Sequence, residues 1–268
     1  MEFKLLGPLE MGTGGRSHAP TAPMPRQVLA LLALRANQVV STQSLTDELW
    51  PESPPASVAT TLQTYVYQLR KKLGEPVVIG SGWGAVQVME RPEIVTRPPG
   101  YVLLVPPEKI DVHRFARLAD QGAKARKDGV LESAAYLLRE GLGLWRGSAL
   151  SDVVIGPVLQ NEVAYLEERR TAAMEHLFEV ALLLGQYREI IVDLRRMVEE
   201  NRLHERFHGY LIMALLGSGR RAEALEAFRS LRATLAEELG LSPSHELEAI
   251  HQCVLQGRLP DPLLFSRP

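Results

Sequence analysis

Two stretches, Gly185-Gln-Tyr-Arg-Glu-Ile190 and Gly219-Arg-Arg-Ala-Glu-Ala224, begin alike and lie 34 residues apart. Leu194 and Phe228 keep the same register, as do Arg195 and Arg229. A 34-residue period belongs to helix–turn–helix repeats of the tetratricopeptide kind. One such repeat cannot bury its own apolar face, so neighbours must stack. Asp128-Gly129 through Ala134 reads as an earlier copy, with the period broken by a longer connection over residues 147–157. From Asp111 onward the strand signals vanish, and an all-helical second half is predicted.

The first hundred residues have a different rhythm. Residues 3–6 and 9–11 read as short strands around Gly7-Pro8, followed by a Gly/Pro-rich loop to Pro25. Val28, Leu29, Leu31, Leu32 and Leu34 then set a helical face that ends near Asn37. Ser41 reads as an N-cap before Leu45 and Leu49, and Trp50-Pro51 stops that helix. Pro54-Pro55 open a third helix that runs to Leu73, with Gly74 just past its end. Residues 77–79, 85–89, 94–96 and 101–105 read as strands. The two halves meet near Pro106-Pro107, which gives domains of residues 1–106 and 107–268.

The third helix carries the most functional information. Val58, Leu62, Val66, Leu69 and Leu73 share one face and point into a core. The other face shows Thr60, Thr61, Thr64, Tyr67, Gln68 and Lys71. These are hydroxyls, an amide and a cation without a carboxylate, a set able to face a polyanion and offer donors and acceptors to base edges. From Ser53 to Gly74 there is no acidic residue, and the stretch ends Arg70-Lys71-Lys72. A solvated polar face would also fit one amphipathic helix taken alone. Two short helices before it and a hairpin after it (TRPPGYVL) complete a winged helix-turn-helix plan, in which the third helix enters the major groove. Arg97, at the hairpin tip, is placed for a phosphate or minor-groove contact.

Global charge says less. Residues 1–106 hold nine Lys/Arg and eight Asp/Glu, and residues 107–268 hold 21 and 24, so no bulk basicity announces a nucleic-acid binder. A 46% hydrophobic content supports real cores. The lone Cys253 allows no disulfide within the chain and suits a reducing cytoplasm. The start MEFKLLGPLEMG lacks the pattern of a signal peptide, and no apolar run reaches a membrane span.

These residues resemble a known family. FKLLGPLE, ANQVVSTQSLTDELWPESPPASVATTLQTYVYQLRKKLG and TRPPGYVLLV are similar to the DNA-binding half of the SARP regulators, the Streptomyces antibiotic regulatory proteins, whose N-terminal domain is an OmpR-type winged helix. DVHRFARLA, LWRGSAL, ENRLHERF, GRRAEALEAFRSLRATLAEELGLSPSHEL and IHQCVLQ resemble their bacterial transcriptional activator domain. The resemblance implies an α+β winged helix-turn-helix domain followed by an all-α, tetratricopeptide-like domain, of the small type without an ATPase domain. It implies an activator of antibiotic-biosynthesis genes that binds direct repeats near a promoter −35 element and recruits RNA polymerase holoenzyme with its sigma factor. It further implies a homodimer on DNA in the cytoplasm, with no membrane partner, cofactor or enzymatic activity.

Carried over by position, the DNA contacts fall on Thr60, Thr61, Gln63, Thr64, Tyr67, Gln68, Arg70, Lys71, Lys72 and Arg97, with Tyr101 packing at the hairpin base. The polymerase contact falls on the loop Trp50, Pro51, Glu52, Ser53 and Pro54, which without the resemblance would read as a Pro-rich turn. One departure is the segment EPVVIGSGWGAVQVMERPEIV between Gly74 and Thr96, longer than the family's usual one, which leaves room for an extra hairpin before the wing. Its GSGWG brushes a phosphate-loop pattern but has no following Lys, so a tight loop is expected.

Two other functions compete. One is a helical scaffold that binds a partner. The other is a zinc hydrolase, because residues 204–208 read HERFH, with Glu223 or Glu226 available as a third ligand. The same letters fit a packing helix, with Leu203, Phe207, Leu211 and Leu215 as its apolar side and the histidines one row over. The remaining histidines have no metal-like spacing. Trp50 and Trp145 read as core residues.

Overall fold

The computed structural model describes residues 1–13, 16–74, 78–81, 85–88 and 91–266. Contacts divide the chain into two compact units. The first is Met1–Leu118 with Glu140–Arg170; the second is Ala119–Arg139 with Thr171–Pro268.

In the first unit, β1 (Glu2–Lys4) pairs antiparallel with β2 (Glu10–Thr13), Phe3 opposite Met11, and β2 pairs with β3 (Arg16–Ser17). Next comes α1 (Pro23–Leu34), in which every residue from Gln27 to Ala33 is buried. That makes it the central helix of the unit rather than a one-faced one. Asn37 closes the turn after α1 with φ +64°, a conformation asparagine tolerates. Its side chain donates to the Val105 carbonyl at 2.8 Å and accepts from the Val105 amide at 3.2 Å. Val40–Ser41 forms β4, and Ser41 Oγ caps α2 (Thr42–Leu49) by accepting from Ser44 N at 3.0 Å.

The third helix, α3, spans Val58–Leu73 and starts later than the prolines suggest. The Val58 amide donates to the Pro55 carbonyl at 3.1 Å, so Pro54-Pro55 form a turn ahead of the helix rather than its first residues. Leu62, Val66, Leu69 and Leu73 are buried, as their spacing requires. Then β7 (Glu93–Arg97) and β8 (Gly100–Leu104) form the wing hairpin, in a sheet of order β4–β8–β7. Gly100 is needed there: a Cβ would lie 1.9 Å from the Val40 carbonyl oxygen on β4. The long segment before the wing contains an extra antiparallel hairpin, β5 (Val78–Ser81) with β6 (Ala85–Val88). The centre of GSGWG, with Trp83, lies outside the described residues.

Carboxylates tie residues 140–170 to the first hundred. Glu48, 1% exposed at the end of α2, accepts from the amides of Gly156 (2.7 Å), Val158 (2.9 Å) and Leu159 (2.8 Å). These are the free N–H groups at the start of α6 (Pro157–Leu183), where a negative charge is favoured. Gly156 permits this approach, since its Cβ would lie 2.2 Å from the Glu48 carbonyl oxygen. Asp111, first residue of α4 (Asp111–Lys127), accepts from Leu5 N at 2.8 Å and Leu6 N at 3.0 Å. Burial raises its carboxyl above the usual range, and those two amides and Arg146 act against the rise. Asp152 accepts from Leu9 N at 2.7 Å and pairs with Arg26. Trp145 packs edge-on against Phe115, ring centroids 5.4 Å apart, under the Arg170 guanidinium.

The elements of the second unit are all helices among its described residues. It holds the ends of α4 and α6, most of α5 (Leu131–Leu142), and α7 (Tyr187–Glu200), α8 (Glu205–Gly217), α9 (Arg221–Leu239) and α10 (His245–Gln256). The sequence repeat appears as a repeated turn. Gly129, Gly185 and Gly219 all have positive φ, and a helix resumes two residues after each. In each turn the next amide reaches back to the last helical turn: Val130 to Ala125, Gln186 to Ala181 and Arg220 to Leu215, at 2.8–2.9 Å. This is the Schellman closure, which glycine enters without strain. Leu194 and Phe228, the register-matched pair, are both buried in the core of this unit.

Candidate nucleic-acid interface

The exposed side of α3 gathers most of the residues expected to meet DNA. Thr60, Gln63, Thr64, Tyr67, Gln68, Lys71 and Lys72 are exposed, and Thr61 is half-buried. Thr60, Thr64, Tyr67, Gln68 and Lys71 make one stripe at helical spacing. Tyr67 leaves 67% of its surface in solvent, so its ring and hydroxyl are open to an outside partner. The Thr64 hydroxyl donates to the Thr60 carbonyl at 2.9 Å. Its proton is spent, so it can offer an outside partner only a lone pair. The helix carries no acid in its first turn and three cations in its last, where the helix dipole favours them.

Arg70 is placed differently from its neighbours. Its Nε donates to the Ile94 carbonyl at 2.8 Å and its guanidinium to Thr96 Oγ1 at 2.9 Å. Both partners lie on β7, so Arg70 braces the wing against α3. A cavity of about 510 Å³ lies beside this brace, walled by Tyr67, Lys71, Leu73 and Pro92 among others. Arg97 ends β7, opposite Gly100 across the hairpin tip, and is exposed with no hydrogen bond or ion pair among the described residues. Tyr101 is 7% exposed and packs at the hairpin base. Trp50 is half-buried as the C-cap of α2, and Pro51, Glu52, Ser53 and Pro54 project into solvent as one loop.

HERFH folds into a different kind of site. His204 precedes α8 as its N-cap, so only His208 of the pair is inside the helix. His204 stacks on Phe207 at 4.2 Å and reaches Glu175 at 3.3 Å. Glu205 accepts from the Ser244 amide at 2.8 Å, at the start of α10. His208 is 6% exposed, and its Nε2–H donates to the Arg202 carbonyl at 2.9 Å. Burial pushes its imidazolium pKa down. Phe207, Leu211 and Leu215 are buried as expected, but Leu203, outside the helix, is 39% exposed. Among the described residues no group of three or more His, Cys, Asp or Glu side chains could hold a metal ion. No described helix is long and apolar enough to cross a membrane.

The family model of the bacterial transcriptional activator domain matches residues 110–255, and that of the C-terminal domain of transcriptional regulatory proteins matches residues 18–85. The chain is 41% identical over 257 residues to the regulatory protein DnrI of Streptomyces peucetius, covering 96% of this chain and 93% of that one. It is 34% identical over 264 residues to the transcriptional regulator RedD of Streptomyces coelicolor, covering 98% and 72%. Among solved structures, Mycobacterium tuberculosis EmbR in complex with a low affinity phosphopeptide superposes with a TM-score of 0.85 at 31% identity, over 99% of this chain and 67% of that one.

Proposed function

The chain belongs to the SARP family of transcriptional regulators, and from that premise we propose that it is a cytoplasmic activator of antibiotic-biosynthesis genes that binds direct repeats near a promoter −35 element. The observation that carries this reading is the acid-free exposed face of α3 beside the wing. On that face Gln68 and Thr60 offer donors and acceptors to base edges in the major groove, and Tyr67 and Thr61 pack on sugar or thymine methyl groups. Lys71 and Lys72 neutralise phosphates at one end of the helix, and Arg97 reaches a phosphate or the narrow groove from the wing. Gln63 meets the backbone at the edge of the face, Thr64 in its middle offers a lone pair to a base donor, and Arg70 holds the wing in place for them. Residues 1–106 form the DNA-binding domain and residues 107–268 the activator domain.

Two copies bind tandem repeats as a dimer, and the loop from Trp50 to Pro54 meets RNA polymerase holoenzyme including its sigma factor. A single module of this size binds modestly, and a second on an adjacent repeat gains by effective concentration. The test is fluorescence anisotropy on fragments with two repeats, one repeat or a scrambled site, followed by run-off transcription on the same templates. The expected result is roughly hundredfold tighter binding to two repeats than to one, with transcription stimulated only there. Equal affinity for all three fragments would refute sequence-specific regulation.

A further inference from the structure

The second unit has a cavity of about 360 Å³ between α7, α8 and α9. Its floor is apolar: Val198, Leu211, Leu215 and Ala227. Its polar wall holds three carboxylates, Glu199, Glu223 and Glu226, against one cation, Arg195, which is engaged with Glu223. His208 donates through Nε2 to the Arg202 carbonyl, which leaves Nδ1 as the ring's lone-pair nitrogen. Glu199 lines the cavity, is exposed, and has no hydrogen bond or ion pair among the described residues. Among the described residues Glu226 pairs only with the solvent-exposed Arg229, at 3.5 Å, a weak pairing. Glu223 is already satisfied, by Arg220 at 2.6 Å and Arg195 at 2.7 Å, and these hold its carboxyl below the usual range. Val192 is 75% exposed, three residues before Arg195 and seven before Glu199, so it shares their face of α7 and extends the apolar surface outward.

We propose that this cavity binds a small organic molecule that carries a protonated amine on an apolar body. The apolar part rests on the floor and Val192, and the ammonium donates to Glu199, Glu226 and the His208 lone pair. An anionic ligand would meet the unpaired Glu199 carboxylate, and a neutral apolar one would leave the acceptors with nothing to bind. The volume is that of a small-molecule pocket rather than an extended peptide groove. The three groups that take the ammonium come one each from α7 (Glu199), α8 (His208) and α9 (Glu226), so the occupant joins the three helices. The site is built from the second unit alone, α3 and the wing belong to the first, and its occupancy is measured without DNA.

The test is an amide NMR titration of the full chain with 2-phenylethylamine, in parallel with phenylacetate, 2-phenylethanol and a lysine-containing octapeptide. The amine is expected to produce saturable shifts at Val198, Leu211 and Ala227. Phenylacetate is expected to produce none, and the alcohol and the peptide weaker effects. Glu199→Gln, an exposed change that leaves the fold intact, is expected to weaken the amine roughly threefold to fivefold. No saturable shift with the amine, equal binding of phenylacetate, or an unchanged affinity in Glu199→Gln would overturn the proposal. Preferential binding of the peptide would overturn it in favour of a protein partner.

Discussion

Truncating Glu48 to alanine tests how the first unit is held together. The carboxylate is 1% exposed and accepts three amides at 2.7–2.9 Å, all at the start of α6. Hydrogen bonds to a charged acceptor contribute about 1.5–3 kcal/mol each, although bonds sharing one carboxylate do not add fully. Desolvation of the carboxylate offsets part of the gain. Glu48→Ala also strands one buried donor, Leu159 N, and two part-buried ones, and the expected loss is about 3–5 kcal/mol. Glu48→Gln keeps one acceptor oxygen but turns an NH2 toward another N–H, for a loss of about 2–3 kcal/mol. At roughly 2–4 °C per kcal/mol for a unit of this size, alanine should lower Tm by about 10 °C. Differential scanning calorimetry reads the loss, and hydrogen exchange locates it at the amides of Gly156, Val158 and Leu159. A Tm change under 1 °C, with those three amides still protected, would refute the reasoning.

Other outcomes are open to measurement. Lys71→Ala should weaken binding to specific and scrambled DNA alike and reduce the slope of log K against log salt by about 0.9, read by anisotropy across a salt series. Arg70→Ala should release β7 from α3 and speed hydrogen exchange across β7–β8, a change that Lys71→Ala should not produce. His208 has a pKa lowered by burial, so the unfolded chain binds more protons between the two pKa values. Its contribution to stability is therefore full above the ordinary histidine value of about 6.5 and lost as pH falls toward the lower folded value. His208→Gln should flatten the fall of Tm between pH 7 and pH 5. Gly100→Ala places a Cβ 1.9 Å from the Val40 carbonyl oxygen and should separate β4 from β8, at a cost of about 1–3 kcal/mol in denaturant unfolding.

Much of this molecule was legible in its sequence because local rules carry it. The apolar step of Leu62, Val66, Leu69 and Leu73 fixes which side of α3 faces outward, and the 34-residue spacing of Gly185 and Gly219 fixes two helix ends. Ser41 caps α2 as its position suggested, and the long segment before the wing does form a hairpin. What escaped depends on partners far away in the chain. Glu48 looks like any carboxylate at the end of a short helix, and nothing local reveals amides 108–111 residues away that draw it inside. For the same reason, periodicity does not reveal that residues 140–170 pack with the first 118. Arg70 reads as one cation in a basic run, whereas its partners are 24 and 26 residues on. HERFH shows the converse: five adjacent letters suggest zinc, but the helix begins only at Glu205, and the side chains go to a ring stack on Phe207, the start of α10 and a carbonyl.

The central claim is that the exposed stripe of α3 reads base edges. It is tested most directly by a position-resolved binding profile, in which every single-base variant of one repeat is measured against the parent chain and against Gln68→Ala. The account predicts that Gln68→Ala loses discrimination at one base-pair position in each repeat, worth about 1–3 kcal/mol there, and keeps it elsewhere. A Gln68→Ala profile identical to the parent's at every position, with equal affinity, would contradict it.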